Sequence, residues 1–463
     1  MSSADISLAP RKALSRKRWI VAGAALITLA VGGYFAMGIA LAHYLDSQDL
    51  LYRISQRTAD TLDAPSGYLP LHWRGFSASS GGLLARDKRG HSLTELRALN
   101  LDAHLNLSGL WRRKVRIEKL DVQRLQAAFS PDAAKLLIQD LPAAPMLIAP
   151  GDGSSSFDVD VGELAVDKTD VLWGKAKESE GALREITALF WPHGKNLVVI
   201  GYGGQFRQHG FPEMKVSAFQ LYYERPVLRL DSGTLTFGER GQIDVNGTFQ
   251  FTKPGGMDLS LHLQRFPVAP FLNEETRSQF DGTFNSDTRV KQELGSDKMA
   301  SAEGDISVEN GVLRNVSTLE QIASITKEDR FRNLKLHQLS GKFRWADPEL
   351  SIHDFVAESK GLVRVEGEFR VEKEIIHGNF ELGLSAEVLK SIPGAREEVF
   401  RKERDGYFWT TVRVEGPVKH PRENLKERLV AGAKRYYEKK FLAPLQLLIK
   451  PGREIIEELE RLF

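Results

Sequence analysis

The most recognisable catalytic spacing in the sequence is a serine followed three residues later by a lysine, at Ser324 and Lys327. One helical turn can bring such a lysine close enough to help activate the serine hydroxyl as a nucleophile. The pattern fixes only two residues, and the S-D-N and K-T-G motifs that accompany it in penicillin-binding proteins are missing. Ile322 and Ile325 indicate an ordinary amphipathic turn instead. We therefore do not expect a serine hydrolase.

Other catalytic and metal-binding patterns are missing from the sequence as well. The chain has no G-x-S-x-G, H-E-x-x-H, P-loop or G-x-G-x-x-G motif. Because it has no cysteine, it offers no thiolate ligands for zinc or iron–sulfur clusters and no disulfides. Its 11 histidines occur singly, and His104 and His262 fall on polar positions of alternating segments. We expect no enzyme, no cofactor and no metal site.

The charge of the chain is nearly balanced, with 63 Lys and Arg residues against 61 Asp and Glu residues. Proteins that bind nucleic acids usually carry a basic excess that neutralises phosphates. We therefore expect no nucleic acid among the partners.

An uncharged apolar segment, residues 19–42, is long enough to cross a membrane as a helix, which takes about 20 apolar residues. The basic residues before it are Arg11, Lys12, Arg16, Lys17 and Arg18. The residues just after it include His43, Asp46 and Asp49 but no Lys or Arg. The positive-inside rule makes residues 1–18 a cytoplasmic tail and places the chain after residue 42 across the membrane. The alternative is a cleaved signal peptide ending near residues 40–42, although its apolar part is usually only about 7–15 residues long.

Alternation of apolar and polar residues dominates the chain up to about residue 420. Leu99, Leu101 and Leu105 alternate with polar residues, as in a strand with one buried face. The same period recurs in short segments separated by Gly, Pro, Asp or Asn, which is typical of successive antiparallel hairpins. These segments are 228–230, 235–237, 243–245, 249–251, 259–263, 363–365, 380–384 and 412–414. The pattern predicts a mainly β fold.

Helices are expected at few places in the sequence. Apolar spacing predicts a short helix through Leu50, Leu51, Ile54 and Leu62, stopped by residues 64–67. Further helices are predicted at Leu319–Thr326, at Ala386–Phe400 with a break at Pro393 and Gly394, and at Arg422–Ile449. The predicted domains are a β-rich domain at 43–420, with a dividing loop near 141–156, and amphipathic helices at 421–463. Those last helices either pack on the end of the sheet or lie on a lipid surface.

A weak internal repeat joins two of the alternating segments. Residues 245–251 (VNGTFQF) match residues 365–371 (VEGEFRV), and a further alternating strand follows each. Residues 412–416 (VRVEG) repeat the opening of the phrase. A glycine at a fixed place in such strands indicates a bulge or bend, which curves a sheet. Repeated strand pairs without intervening helices argue against a βαβ fold and favour an elongated, curved antiparallel sheet.

The order of these features resembles the AsmA-like family of envelope proteins. The likeness covers most of the chain after the apolar segment, through short phrases of the form hydrophobic-x-Gly. These phrases are 73–78 (WRGFSA), 96–107, 115–122 (VRIEKLDV), 304–313 (GDISVENGVL), 339–343 (LSGKF), 365–367 (VEG) and 414–418 (VEGPV), the last followed by Pro421.

The resemblance implies a taco-like β-groove with an apolar inner face, without catalytic residues, that handles phospholipid between bacterial membranes. It places the N-terminal helix in the bacterial inner membrane and the bulk of the chain in the periplasm. About 20 strands at ~4.8 Å would reach only roughly 100 Å, which favours a shorter carrier, an adaptor or a component that needs an envelope partner at its C-terminal end.

The alternating segments supply the expected groove lining, which is Leu99, Leu101, Leu105, Leu259, Leu261, Val363, Val365 and Phe369. The expected ligand is a phospholipid or another acyl lipid, and the expected role is envelope lipid homeostasis. The same alternation also fits the core of a closed β-sandwich. The alternative function is a scaffold or assembly factor for envelope proteins that acts through sheet-edge contacts.

Overall fold

A computed structural model describes residues 47–87, 93–106, 114–138, 140–151, 158–174, 179–193, 196–250, 252, 255–272, 274–294, 300–418 and 421–438. Within these ranges the fold is mainly β, as the alternation predicts. The predicted cytoplasmic tail, the predicted transmembrane helix at 19–42 and the segment 439–463 lie outside the described residues. No helix within the described ranges is long and apolar enough to cross a membrane.

The chain divides into two compact units. Unit 1 contains the chain up to Ala127 together with Leu137–Val161, and unit 2 contains Ala128–Leu136 and the chain from Gly162 onward. The loop predicted near residues 141–156 belongs to unit 1, in which Ile148 forms an isolated β-bridge with Ser66.

Unit 1 begins with the predicted short helix, α1 (Gln48–Leu62). The Ser47 side chain caps it by accepting a hydrogen bond from the Leu50 backbone N–H, and Asp63 ends it in the left-handed conformation. Ala59 is fully buried on its packed side. The strands of this unit are β1 (Ser66–Tyr68), β2 (Leu71–Arg74), β3 (Ser77–Arg86), β4 (Glu95–Asn106) and β5 (Lys114–Ala128).

Unit 2 is a ladder of strands in which each described pairing is antiparallel. Its strands are β6 (Asp158–Trp173, which belongs to this unit from Gly162 onward), β7 (Gly181–His193), β8 (Asn196–Tyr202), β9 (Gln205–Gln208), β10 (Met214–Glu224), β11 (Val227–Phe237), β12 (Gly241–Gln250), β13 (Gly255–Pro267), β14 (Phe280–Leu294), β15 (Ser301–Arg314), β16 (Asn333–Leu336), β17 (Gln338–Ala346), β18 (Glu349–Ser359), β19 (Val363–Glu372), β20 (Ile375–Ser385), β21 (Lys402–Arg404), β22 (Tyr407–Pro417) and β23 (Arg422–Glu423).

The helices of unit 2 are short, and most lie in connections on one side of the ladder. They are α2 (Pro131–Ala134), a 3₁₀ helix (Ala269–Phe271), α3 (Glu274–Gln279), α4 (Ser317–Thr326), a second 3₁₀ helix (Asp329–Phe331), α5 (Ala386–Lys390), a π turn (Ala395–Val399) and α6 (Leu425–Tyr437). Because antiparallel strands alternate in direction, β13, β15 and β20 end on the same side, and the helices follow those ends. We call this side the helix rim and the opposite side, where short turns join β17 to β18 and β19 to β20, the turn rim.

Four strands that run toward the helix rim carry a bulge. At the bulge, successive apolar residues are three positions apart instead of two. In β13 the apolar positions are Leu261 and Leu263, then Phe266, and the pairing with β14 shifts between Leu263 and Phe266. In β18 they are Leu350 and Ile352, then Phe355, with a shift at the same point. The pairing also shifts in β11, between Leu230 and Gly233, and in β15, between Glu309 and Val312. The extra residue keeps the later apolar side chains on the same face of the sheet.

The repeat predicted from the sequence corresponds to this arrangement. Gly247 faces Leu259 across one strand pair, and Gly367 faces Phe380 across the other. A Cβ on Gly247 would lie 2.8 Å from Leu259 Cδ2, and a Cβ on Gly367 would lie 3.0 Å from Phe380 Cδ1. Each glycine borders a bulge in the preceding strand rather than in its own strand. The closest atoms are backbone carbonyl oxygens, that of Asp258 at 2.2 Å and that of Asn379 at 2.3 Å, so the two glycines let the next strand's backbone approach as well as its large apolar side chain.

The predicted helices after residue 300 are confirmed within the described residues, with one correction at the C-terminal end, and residues 439–449 of the last predicted helix lie outside the described residues. The helix predicted to begin at Arg422 begins at Leu425, because Arg422 and Glu423 form a short strand with Glu415 and Val414. The break predicted at Pro393 and Gly394 separates α5 from the π turn.

Gly304 provides a test of how closely the strands of this ladder approach. A Cβ there would lie 2.1 Å from the Asp287 carbonyl oxygen, on the backbone of the neighbouring strand. We expect Gly304→Ala to destabilise the protein by about 1–3 kcal/mol, because backbone cannot move aside as a side chain can. A lowered midpoint of urea unfolding of the full-length protein measures this loss.

Gly256 is the matched control, since its Cβ would lie 3.6 Å from the Gln292 carbonyl oxygen, an ordinary contact. Gly256→Ala should leave the midpoint unchanged or raise it. Equal effects of the two substitutions would contradict the close approach at Gly304.

Candidate functional site

One face of unit 2 is apolar over many strands, and the register of the ladder shows that its residues lie in rows. Starting from Val245, each residue of one row pairs with the next across successive strands. The row is Val245, Leu261, Thr288, Gly304, Phe343, Ile352, Phe369, Gly378 and Val414. We call this side of the sheet the apolar face and the opposite side the polar face.

The burial of the apolar face differs between its two sides. Near the helix rim, side chains from strand ends and helices form buried clusters, which contain Ile186 and Val216, Ile243 and Phe266, Phe331 and Leu334, or Phe400 and Phe408. Toward the turn rim the apolar side chains are only half-buried, and we call this strip the open apolar band. It contains Leu221, Leu230, Val245, Leu259, Val290, Phe343, Ile352, Val365, Phe369, Val371, Phe380, Val412 and Val414.

The lining residues predicted in unit 2 lie on this face. Leu259, Val365 and Phe369 belong to the open apolar band. Leu261 and Val363 are half-buried at its border and pack against the helix-rim clusters. The structure therefore brings the five residues onto one face, although β13 and β19 are separated by four strands of the ladder.

The three predicted lining residues of unit 1 have a different environment. Leu99 and Leu101 are 3% and 8% exposed, and Leu105 is half-buried. Leu99 pairs with Gly82, where a Cβ would lie 2.2 Å from Leu141 Cδ2. The segment that contains Leu141 thus covers this part of β3 and β4. In unit 1 the same alternation builds a closed core.

An aromatic cluster on the apolar face contains one residue, Phe355, that sequence reasoning missed. Phe355, Phe369 and Phe380 lie with ring centroids 5.9–6.2 Å apart, on three adjacent strands. Such edge-to-face and tilted pairs favour a fixed arrangement of large apolar surfaces. Phe355 follows two polar residues, His353 and Asp354, so it breaks strict alternation. The recurrent spacing apolar-x-apolar-x-x-apolar was the signal that could have identified it.

The polar face of unit 2 carries ion pairs across neighbouring strands. Asp258 accepts two hydrogen bonds from the Arg289 guanidinium, at 2.8 and 2.7 Å, and this holds the pKa of the Asp258 carboxyl below its usual value. The Lys342 ammonium lies 2.8 Å from Asp354 and lowers the pKa of that carboxyl likewise. A cavity of 570 Å³ beside Glu366 is lined by polar and apolar residues together, among them Asn379, Glu381, Arg413, Phe380 and Val412. The paired charges of the polar face suit water rather than acyl chains.

The residues considered for catalysis make contacts within their own helix or with a neighbouring strand. The Ser324 hydroxyl donates a hydrogen bond to the Glu320 carbonyl oxygen at 2.9 Å, within its own helix. Lys327 follows the last helical residue in the left-handed conformation and serves as its C-cap. His262 lies on the polar face and pairs with Asp287. In the part of the chain that the structure describes, no group of three metal-ligating side chains converges.

The Asp258–Arg289 pair gives the polar face a pH dependence. Because the folded pKa of Asp258 lies below its unfolded value of about 3.9, its stabilisation is complete above that value and is lost as the pH falls through the folded pKa. We expect Asp258→Asn to lower the urea midpoint slightly at pH 7 and to match the unmodified protein at strongly acidic pH. Unfolding curves at both pH values measure this.

Combining Asp258→Asn with Arg289→Gln isolates the contribution of the ion pair. The double variant should lose less stability than the sum of the losses in the two single variants. Added salt should weaken the effect, since both side chains are partly exposed. Additive losses that persist at acidic pH would contradict the pairing.

Comparison with known proteins identifies no relative. No protein-family model matches the chain, and no curated protein and no solved structure gives a significant match. The function therefore has to be argued from the apolar and polar faces themselves.

Proposed function

We propose that this protein binds the acyl chains of a phospholipid or a similar lipid along the open apolar band of unit 2. The observation that carries this proposal is the half-burial of Leu259, Phe369, Phe380 and their neighbours on one continuous face. The surfaces of soluble proteins rarely carry a large contiguous apolar patch unless an apolar partner binds there. The polar face, with its ion pairs, stays in water.

The dimensions of the band suit an acyl chain. From β10 to β22 the ladder has ten interstrand steps, which gives roughly 48 Å at about 4.8 Å a step. One leaflet of a bilayer contributes about half of the ~30 Å hydrocarbon core, so an extended acyl chain is shorter than the band. Each CH₂ moved from water to the band is stabilised by about 0.8 kcal/mol. Apolar contact alone can therefore hold a lipid without specific headgroup ligands.

The bulges support a curved, groove-like sheet. Four bulges, in β11, β13, β15 and β18, bend strands that run in the same direction, at different depths along the ladder. A curved sheet surrounds an acyl chain on more than one side while leaving the headgroup in water. This is the groove that the AsmA-like resemblance implies, and it needs no catalytic residues.

The predicted membrane anchor indicates where in the cell this lipid binding would occur. If residues 19–42 cross the bacterial inner membrane, the β-rich domain lies in the periplasm beside the bilayer that supplies the lipid. We propose on this basis that the protein supports lipid homeostasis of the cell envelope.

The alternative, a scaffold that works through sheet edges, has less support at the C-terminal edge strand. β21 pairs with one end of β22, and β23 pairs with the other. Between them, the Arg413 backbone N–H donates to the Asn424 side chain at 2.9 Å, and the Arg428 guanidinium donates to the Thr411 carbonyl oxygen. An edge protected in this way is a poor template for an added strand.

A photoreactive lipid tests the proposal directly. Full-length protein is mixed with phosphatidylcholine vesicles in which a fraction of the lipid carries a diazirine on one acyl chain. After illumination, mass spectrometry identifies the labelled residues. We expect label at Leu259, Phe369 and other residues of the open apolar band.

Leu259 and Ser260 form a matched pair, because neighbouring residues of a strand point to opposite faces. Leu259→Arg should reduce labelling of the band several-fold, since it places a charge among the acyl contacts. Ser260→Arg, on the exposed polar face, should leave labelling unchanged. Labelling confined to the polar face, or its complete absence from unit 2, would contradict the proposal.

A further inference from the structure

Two hydroxyl groups interrupt the apolar face of unit 2 on strand β14. Ser286 and Thr288 lie on this face, because they pair with Leu263 and Leu261 of β13. At the paired positions of the same face, the nearby strands β12, β13, β15 and β17 carry apolar residues or glycine. β14 lies four interstrand steps from β10 and six from β22. The hydroxyl pair therefore lies in the interior of the ladder.

The hydrogen bonds of this pair decide which oxygen can still accept a hydrogen. The Ser286 hydroxyl donates to the Asp305 carbonyl oxygen at 2.7 Å, and this bond uses its one hydrogen. The Ser286 and Thr288 hydroxyl oxygens lie 2.8 Å apart, so Thr288 is the donor between them. The Thr288 oxygen keeps its lone pairs, and none of the described residues donates a hydrogen bond to it. Toward a ligand, Thr288 can therefore only accept.

The Thr288 hydroxyl is accessible from the open apolar band. Thr288 is half-buried, whereas Ser286 is only 6% exposed. On the same face of β14, two residues further along, Val290 belongs to the band. A ligand that lies on the band can contact the Thr288 oxygen without moving a strand.

The neighbouring strand leaves space beside Thr288. Thr288 pairs with Gly304 of β15, and Ala302 lies on the same face of that strand. These two residues pair in turn with Phe343 and Trp345 of β17. β14 and β17 are two interstrand steps apart, which is about 10 Å. At these positions β15 carries nothing larger than a methyl group, so a shallow recess runs between Thr288 and the two aromatic rings.

We propose that the open apolar band prefers an acyl chain that carries a hydroxyl group, and that Thr288 accepts a hydrogen bond from this hydroxyl. This inference rests on the proposed function, which it narrows from acyl lipids in general to hydroxylated ones. Ligand sites that are mostly apolar commonly use a few polar groups to select and orient the ligand.

The preference follows from what each kind of chain does to the Thr288 oxygen. A saturated chain would remove this acceptor from water without supplying a donor, which is unfavourable. A chain hydroxyl supplies the donor, and the recess over Gly304 has room for its oxygen. A ketone on the chain is polar as well, but it has no hydrogen to donate.

Competition between lipids tests this preference in the unmodified full-length protein. The diazirine phosphatidylcholine labels Leu259, and three competitors of equal chain length are added to the vesicles. They are phosphatidylcholines with an unsubstituted chain, with one mid-chain hydroxyl and with one mid-chain ketone. We expect the hydroxylated lipid to halve the labelling at roughly three- to ten-fold lower amounts than the unsubstituted lipid, as one hydrogen bond would give. The ketone should show no such advantage.

Thr288→Val removes the acceptor and keeps the shape of the side chain. In this variant the hydroxylated lipid should lose its advantage, while competition by the unsubstituted lipid should be unchanged or stronger. Thr248→Val is the matched control, because Thr248 is exposed on the polar face of β12, and it should keep the preference. Equal urea midpoints show that both variants fold. If Thr288→Val does not fold, the comparison of hydroxyl and ketone in the unmodified protein decides.

The outcomes separate this inference from the proposed function. Equal competition by the hydroxylated and unsubstituted lipids, or equal competition by hydroxyl and ketone, would overturn the preference and leave lipid binding intact. A preference that persists in Thr288→Val would overturn the assignment to Thr288. Absence of label throughout unit 2 would overturn lipid binding itself.

Discussion

The constraint on which unit 2 depends is that its apolar side chains must stay on one face while its strands bend. Side chains alternate with a period of two, so each inserted residue moves everything after it to the opposite face unless the sequence compensates. In β13 and β18 the compensation is visible, because two polar residues separate Leu263 from Phe266 and Ile352 from Phe355. Bend and apolar continuity are therefore encoded together.

The same constraint explains how much of the fold follows from the sequence. Alternation correctly predicts a mainly β chain and places Leu259, Leu261, Val363, Val365 and Phe369 on one face. It misses Phe355 and Phe266, since a search for strict alternation stops at a bulge. It also misplaces the start of the last helix, because Arg422 and Glu423 suit a helix as well as the strand edge they protect.

The alternation of apolar and polar residues does not predict how deeply an apolar residue is buried. Leu99 in unit 1 and Leu259 in unit 2 occupy equivalent positions in alternating strands, yet only Leu99 is fully buried. The difference comes from the segment around Leu141, which is distant in sequence and covers one sheet but has no counterpart over the open apolar band in the described part of unit 2. A periodic pattern reports which face is apolar, and long-range packing decides whether that face is sealed. In unit 2 the helices seal one rim, which stabilises the sheet and leaves the other rim accessible.

The central claim is that the open apolar band is accessible in the folded protein, and thiol reactivity measures this most directly. The chain has no cysteine, so a Val371→Cys variant carries a single thiol in the band. This thiol should react with a water-soluble maleimide without denaturant, at a rate close to that of Arg370→Cys on the polar face, and phosphatidylcholine vesicles should slow it. Ile186→Cys, at a site that is 1% exposed, should react only on unfolding. If the thiol at position 371 behaves like the one at 186, the face is a sealed core and the account is wrong.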